Sequence, residues 1–143
     1  MIVTSLKNPN LATSARYALY ALSILDCLWN SILGNRKSET SFLDAEGLYV
    51  LLEFLETCEE THKKLALSCI SFLIENPKAI PYFCDWNSGR TMINATQLLI
   101  RIYEAEDLRF GVKYVDGVIS NKNRPLNPRT DPSLVQKNES GVD

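Results

Sequence analysis

The residues of this sequence that best suit nucleophilic chemistry are Cys58 and His62, which stand close together in the chain. An imidazole beside a thiol can generate the thiolate that a cysteine-dependent enzyme uses. The residues between them are predicted to form a turn, with Thr61 capping the helix that follows. A histidine near a helix start is typically solvent-facing, so we predict that this pair is not catalytic.

The cysteines do not form a metal-binding pattern. The sequence has four cysteines, no C-x-x-C pair and a single histidine, whereas zinc sites favour closely spaced Cys or His pairs. Cys27 and Cys69 stand among apolar residues at helical spacing. We predict that both are small buried hydrophobic residues, that the thiols stay reduced, and that the chain holds no metal.

Acidic clusters occur at residues 59–60 and 104–107. Carboxylates can act as general acid and base, but these clusters fall at predicted helix ends, where solvated charge is common. The sequence has neither G-x-G-x-x-G nor G-K-[ST], the glycine loops that hold phosphates. We therefore predict no catalytic residue, no cofactor and no small-molecule substrate.

Arginine and aromatic residues alternate in the last third of the chain, for example at Arg101, Arg109 and Phe110. This combination can bind single-stranded nucleic acid, but acidic residues interleave with it and the net charge is −2. Aromatic residues and arginine are also enriched at protein-binding hot spots. The candidate partner-binding residues are Trp86, Arg90, Arg101 and Phe110. For Trp86, the alternative that its indole fills a turn between helices fits equally well.

The composition of the sequence and the distribution of its apolar residues restrict where in the cell the chain can be located. Its 143 residues suit one domain, and a hydrophobic fraction of 45% can build a core. No apolar stretch approaches the roughly 18 residues that span a bilayer, and the first ten residues lack the pattern of a secretory signal. We therefore predict a cytosolic chain without a membrane partner.

Apolar residues recur at the spacing of α-helices along most of the chain. Helices are predicted over residues 12–33, 39–45, 47–57, 62–75 and 91–106, with a short turn of helix after Pro77. The residues predicted to form a shared core are Leu25, Leu28, Leu52, Leu55, Ile70, Leu73 and Leu99.

The pattern changes near Gly111. Asp116-Gly117 between β-branched residues predicts a hairpin, and the polar, proline-containing residues that follow predict disorder. The predicted organisation is a flexible segment at 1–11, helical repeats at 12–110, a hairpin cap at 111–119 and a disordered tail at 120–143.

The sequence also repeats itself weakly. Ala21-Leu22-Ser23 recurs as Ala66-Leu67-Ser68, and Phe42-Leu43-Asp44 aligns with Phe83-Cys84-Asp85. Both offsets lie in the range of ~40–47 residues that armadillo and HEAT arrays use. The order of short helix, glycine turn, medium helix and long helix favours the armadillo type. We predict an all-α, right-handed armadillo-like repeat of about one full and two partial units.

Because so few units are present, the first long helix is expected to leave Leu19, Leu28 and Leu33 facing water unless a preceding repeat covers them. The hairpin and tail favour a position at the end of an array.

Several motifs resemble the family of cilia- and flagella-associated protein 69, in the C-terminal part of its repeat array. They cover about residues 15–126 and include Trp86. The stretches are SILDCLWNSILG (23–34), FLDAEGLYVLL (42–52), ENPK (75–78), ATQLLI (95–100), FGVK (110–113), GVI (117–119) and RPL (124–126).

This resemblance implies a non-enzymatic scaffold of motile cilia and sperm flagella, placed in the central-pair apparatus of the axoneme. It implies roles in flagellum assembly, motility, spermatogenesis and olfactory cilia. The implied partners are other axonemal proteins within the cytoskeleton. The residues alone leave two alternatives open: a cytosolic armadillo-type adaptor that binds an extended peptide, and a nucleic-acid-binding helical repeat.

Overall fold

The computed structural model describes residues 1–8 and 17–123. Within this part of the chain, the backbone forms helices almost throughout and one small antiparallel hairpin near the end. The helices are α1 (Ile2–Leu6), α2 (Ala18–Ser31), α3 (Arg36–Asp44), α4 (Gly47–Thr57), α5 (Glu60–Ile74), α6 (Ala79–Asp85) and α7 (Ala95–Arg109). The strands are β1 (Tyr114–Val115) and β2 (Val118–Ile119).

The predicted fold class is confirmed. Short α3, the glycine corner at Gly47, medium α4 and long α5 follow one another in armadillo order, and α6 and α7 begin the same order again. The Asp116-Gly117 hairpin is present, with Tyr114 opposite Ile119 and Val115 opposite Val118. The predicted tail lies outside the described residues from 124 onward.

The observed helices differ from the prediction at several places. A helix at Ile2–Leu6 was not predicted, and its residue Leu6 is buried. Residues 12–16 of the predicted first helix lie outside the described part. The last long helix begins at Ala95 rather than at 91, because Met92 has a φ of 56° and an isolated bridge pairs Asn87 with Asn94.

The chain divides into two compact units, residues 1–96 and residues 97–143. In the first unit, α4 is central and packs against α1, α3, α5 and α6, while α2 packs against α1 and α5. The six core residues predicted there are all buried. They are Leu25, Leu28, Leu52, Leu55, Ile70 and Leu73.

In the second unit, the hairpin is anchored to the end of α7 by a short hydrogen bond from the Tyr114 hydroxyl to the Asp107 carboxylate. The core prediction was wrong for Leu99, which is partly exposed, because Leu98 takes the buried position. Since α7 begins at Ala95, its buried face runs through Ala95 and Leu98, three residues apart.

Two predictions about α2 are corrected. Leu28 was predicted both as a core residue and as one facing water in the absence of a preceding repeat; it is fully buried, so the second expectation is wrong, whereas Leu19 is 80% exposed and Leu33 is intermediate. Cys27 was expected to be buried and is exposed. The buried face of α2 contains Leu25 and Leu28, and Cys27 lies about 200° around the helix from Leu25.

Candidate partner-binding site

The sequence-derived binding residues fall into two groups. Trp86 is only 4% exposed, which agrees with the alternative that its indole fills the turn after α6. Arg90, Arg101 and Phe110 are exposed. Phe110 lies beside Arg109, whose guanidinium carbon is 4.7 Å from the ring centroid. Trp86 and Arg90 belong to the first unit, and Arg101 and Phe110 belong to the second.

Arg90 is presented by a loop that Glu56 holds in place. The Ser88 hydroxyl donates to the Glu56 carboxylate at 2.7 Å, and the Thr91 hydroxyl donates to it at 2.6 Å. The same Ser88 oxygen accepts from the backbone N–H of Arg90 at 3.1 Å. The backbone at Arg90 is therefore fixed, while its exposed side chain is available to a partner.

A second exposed surface lies between α2 and α5. His62 at the start of α5 pairs with the carbonyl oxygen of Ala18 at the start of α2, at 3.1 Å. Ten residues further along α5, Phe72 meets Trp29 of α2 edge to face, with ring centroids 5.8 Å apart. The two helices therefore run parallel and side by side, and the aromatic pair marks the end of the seam between them.

A shallow groove opens at this aromatic pair. Trp29 is 40% exposed, so part of its side chain meets solvent. The other residues that line the groove belong to α5 and its end: Leu67, Ser68, Ser71, Phe72 and Glu75. We name this surface the Trp29 groove.

The chemistry of the Trp29 groove favours a partner with a cationic side chain. An indole face attracts guanidinium and ammonium groups, and the exposed carboxylate of Glu75 supplies a counter-charge at the same place. The hydroxyls of Ser68 and Ser71 add polar atoms along the rim, although Ser68 already donates to Lys64 O at 2.9 Å. None of the groove-lining residues is basic.

The Cys58–His62 pair has a packing role. His62 was predicted to face solvent, which is wrong: it is 2% exposed and packs edge-on against Phe54. Since a carbonyl oxygen only accepts, the ring nitrogen near Ala18 donates. Burial raises the pKa of the Cys58 thiol to about 11, and this thiol donates to Leu55 O at 3.6 Å. A buried, protonated thiol is a poor nucleophile.

Among residues 1–8 and 17–123, no cluster of three or more His, Cys, Asp or Glu side chains could hold a metal ion. None of the described helices is both long enough and apolar enough to cross a lipid bilayer.

Trp29 was not predicted as a surface residue, because it belongs to the apolar stripe of the first long helix. The internal repeat contained a usable signal. Helices α2 and α5 are equivalent in the repeat, and the equivalent long helices of neighbouring units lie side by side. An aromatic residue near the end of each helix, Trp29 and Phe72, therefore indicates an aromatic pair at the seam.

The chain is similar to known proteins over most of its length. A sequence profile of the family described as "Cilia- and flagella-associated protein 69, ARM repeat" matches residues 1–140. Cilia- and flagella-associated protein 69 of Mus musculus is 33% identical over 118 residues, which is 82% of this chain. The proteins of the same name from Papio anubis and Homo sapiens are 33% and 32% identical over 111 residues, or 77% of the chain.

The chain spans 12% of the length of each of these relatives. The family profile covers nearly all of the chain, and its repeat type agrees with the helix order seen in α3 to α7. The chain therefore belongs to the family of cilia- and flagella-associated protein 69, in its armadillo-repeat region.

Proposed function

We propose that this chain is a protein-binding scaffold of the motile cilium and sperm flagellum, and that it acts in the central-pair apparatus of the axoneme. The family name supports the association with cilia and flagella. In this role the chain contributes to flagellum assembly and motility, in sperm and in olfactory cilia. It performs no catalysis, since its one Cys–His pair is engaged in packing.

The observation that carries the binding role is the Trp29 groove. Stacked armadillo helices present a continuous surface to extended partners, and here that surface holds a part-exposed indole next to a carboxylate. Aromatic side chains in such positions are typical binding hot spots. The partner is an axonemal protein segment that places an arginine or lysine against Trp29 and Glu75.

Arg90, Arg101 and Phe110 are proposed as further partner contacts. Arg90 stands on the loop held by Glu56, and Phe110 stands at the end of α7 with its ring part-exposed. Their substitution is expected to weaken binding less than substitution of Trp29.

The test is capture of proteins from salt-extracted axonemes on the immobilised chain, compared with two variants. Trp29→Ala removes the indole of the groove. Tyr20→Ala is the matched control, because Tyr20 is another exposed aromatic residue of α2 but does not line the groove. We expect defined axonemal proteins to bind the chain and the control, and to be lost with Trp29→Ala.

Two results would contradict the proposal. Equal capture by the chain and by Trp29→Ala would exclude the Trp29 groove as the binding surface. Absence of axonemal proteins from the captured set, together with failure of the tagged chain to enter axonemes in ciliated cells, would contradict the ciliary role.

A further inference from the structure

A cleft lined by polar and basic side chains lies between α3 and α6, which both belong to the first unit. The two helices are joined by two hydrogen bonds: Asn76 donates to the Glu39 carboxylate at 2.8 Å, and the Tyr82 hydroxyl donates to Asp44 at 3.3 Å. The cleft has a volume of about 530 Å³, and its lining residues are Arg36, Lys37, Thr40, Ser41, Asn76 and Lys78. We name it the α3–α6 cleft.

Three of the six lining residues are cationic and none is acidic. Arg36, Lys37 and Lys78 are all exposed. Arg36 pairs with Glu39 at 3.3 Å, whereas Lys37 and Lys78 form no ion pair with a carboxylate of residues 1–8 or 17–123. Because the net charge of the chain is −2, the α3–α6 cleft is a local concentration of positive charge on a slightly acidic protein.

The nearby carboxylate of Glu39 does not cancel this charge. It is 1% exposed and accepts hydrogen bonds from the backbone N–H of Gly34 at 2.9 Å, from Arg36 at 3.3 Å and from Asn76 at 2.8 Å. Its negative charge therefore balances that of Arg36. The charges of the two lysines remain without a partner on the described part of the chain.

The backbone donors beside the cleft are already used. The Asn35 side chain accepts from the backbone N–H groups of Lys37 and Ser38, at 3.1 and 3.3 Å. The Asn76 side chain accepts from the backbone N–H of Lys78 at 3.2 Å. A phosphate bound at a helix start is held by free backbone N–H groups. These three N–H groups are not free, which argues against a compact phosphate as the ligand.

The hydroxyl donors of the cleft are used in the same way. Thr40 donates to the carbonyl oxygen of Arg36 at 2.8 Å, and Ser41 donates to that of Lys37 at 3.1 Å. The groups that remain for a ligand are chiefly the ammonium groups of Lys37 and Lys78. An ammonium group on a flexible stem pairs with an anion as a point charge, without a fixed geometry. Such groups suit carboxylates that are spaced along a chain.

We propose that the α3–α6 cleft binds an acidic segment of a partner protein, in which aspartate or glutamate side chains pair with Lys37 and Lys78. The volume of the cleft falls within the roughly 300–1,000 Å³ of ligand sites, so it admits more than one carboxylate side chain. The Trp29 groove, by contrast, has a carboxylate and no basic lining residue. The two sites therefore select partner segments of opposite charge, and the α3–α6 cleft is independent of the ciliary role and of the Trp29 groove.

The probe is a hexaglutamate peptide with blocked termini, and the control peptide is hexaglutamine. NMR titration of the isotope-labelled full chain measures the dissociation constant and shows which backbone amides shift. The salt concentration is about 0.05 M, where exposed charges are only weakly screened. We expect saturable binding of hexaglutamate, with shifts centred on Thr40, Ser41 and Lys78, and no saturable binding of hexaglutamine.

Chain variants test the two lysines. Lys37→Gln with Lys78→Gln removes both unpaired charges and keeps the backbone hydrogen bonds of both residues. Because exposed ion pairs are individually weak, we expect this double variant to weaken hexaglutamate binding by about fivefold or more. The matched control is Lys64→Gln with Lys113→Gln, which removes the same charge from exposed lysines outside the cleft; it should weaken binding by less than about twofold. Circular dichroism verifies that both double variants fold.

Four outcomes would overturn the proposal. One is absence of saturable hexaglutamate binding below about 1 mM. Another is equal binding by the unchanged chain and by Lys37→Gln with Lys78→Gln. A third is an equal loss in the control double variant, which would show that only the total charge matters. The fourth is tighter binding at the cleft by a phosphoserine peptide or by hexauridylate than by hexaglutamate, which would identify a phosphate-bearing ligand instead.

Discussion

The buried carboxylate of Glu39 accepts a hydrogen bond from the side chain of Asn76 at 2.8 Å, although the two residues stand 37 positions apart. Glu39 is 1% exposed and also accepts from the backbone N–H of Gly34 at 2.9 Å and from Arg36 at 3.3 Å. One carboxylate therefore joins the corner before α3 to the corner before α6. A buried charge with three donors is stabilising only while the donors remain.

The first prediction concerns this pair. Asn76→Ala should lower the free energy of unfolding by about 1–3 kcal/mol, because it leaves a buried carboxylate oxygen without its amide donor. Combination with Glu39→Gln in a double-mutant cycle should show a coupling of at least about 0.5 kcal/mol. Urea unfolding measures both. Asn30→Ala is the control, because it removes an exposed amide from α2; it should lower the free energy of unfolding by less than about 0.5 kcal/mol. A coupling near zero between Asn76→Ala and Glu39→Gln would contradict the prediction.

The second prediction concerns the corner between α3 and α4. A Cβ on Gly47 would lie 2.5 Å from the ring of Phe42. Gly47→Ala should therefore destabilise the chain by about 1–3 kcal/mol through overpacking, although alanine normally favours a helix over glycine. Thermal unfolding measures the change. Gly89→Ala is the control, since a Cβ there meets nothing within 4 Å.

Relief of the clash tests its cause. Phe42→Leu in the Gly47→Ala background should recover part of the lost stability, because the smaller side chain leaves room for the new methyl group. If the double variant is less stable than Gly47→Ala by the full cost of Phe42→Leu alone, the ring contact is not the cause.

The third prediction concerns the core around α5. Leu73 is fully buried, and Leu73→Ala should cost about 2–5 kcal/mol because it leaves a cavity. Leu19→Ala removes the same atoms from a side chain that is 80% exposed, and should change stability by less than about 0.5 kcal/mol. A cost below about 1 kcal/mol for Leu73→Ala, measured by urea unfolding, would show that α5 is not central.

Sequence periodicity predicted α3, α4 and α5 well, because their apolar stripes are regular and a glycine or proline stands near their ends. Periodicity failed for α7, where the local backbone conformation decides at which residue the helix begins. Met92 adopts a left-handed conformation that residues other than glycine seldom adopt, and α7 begins at Ala95, later than predicted.

Exposure of single residues at the candidate site was harder to predict. Trp29 and Trp86 both follow apolar helical stretches, yet Trp29 is part-exposed and Trp86 is buried. Which indole meets solvent depends on neighbours that are distant in sequence, such as Phe72 for Trp29. His62 was misjudged for the same reason, since its partner Ala18 lies 44 positions away.

The fourth prediction concerns thiol reactivity. Cys27 and Cys84 are exposed, whereas burial raises the pKa of Cys58 and of Cys69 to about 11 from an ordinary value of 9.0. At pH 8 the thiolate of each buried cysteine should therefore be roughly a hundredfold scarcer than that of an unperturbed thiol. Iodoacetamide should alkylate Cys27 and Cys84 quickly and Cys58 and Cys69 slowly, as peptide mass spectrometry would show. In denaturant all four should react alike, and rapid native labelling of Cys69 would contradict the prediction.

The last prediction concerns the contact that anchors the hairpin to α7. The hydrogen bond from the Tyr114 hydroxyl to Asp107 is the largest cause that raises the pKa of Tyr114 to about 12, followed by desolvation and the carboxylate charge. A raised pKa means that this phenol stays protonated at a pH where an ordinary tyrosine, with a pKa near 10, is already half ionised.

The ultraviolet absorbance of tyrosinate, taken as the difference between the chain and Tyr114→Phe, isolates this residue from the other five tyrosines. Asp107→Asn removes the negative charge and should move the titration midpoint down towards 10, whereas Glu104→Gln, a more weakly acting neighbour, should move it little. A midpoint that stays near 12 in Asp107→Asn would show that Asp107 does not hold the hairpin.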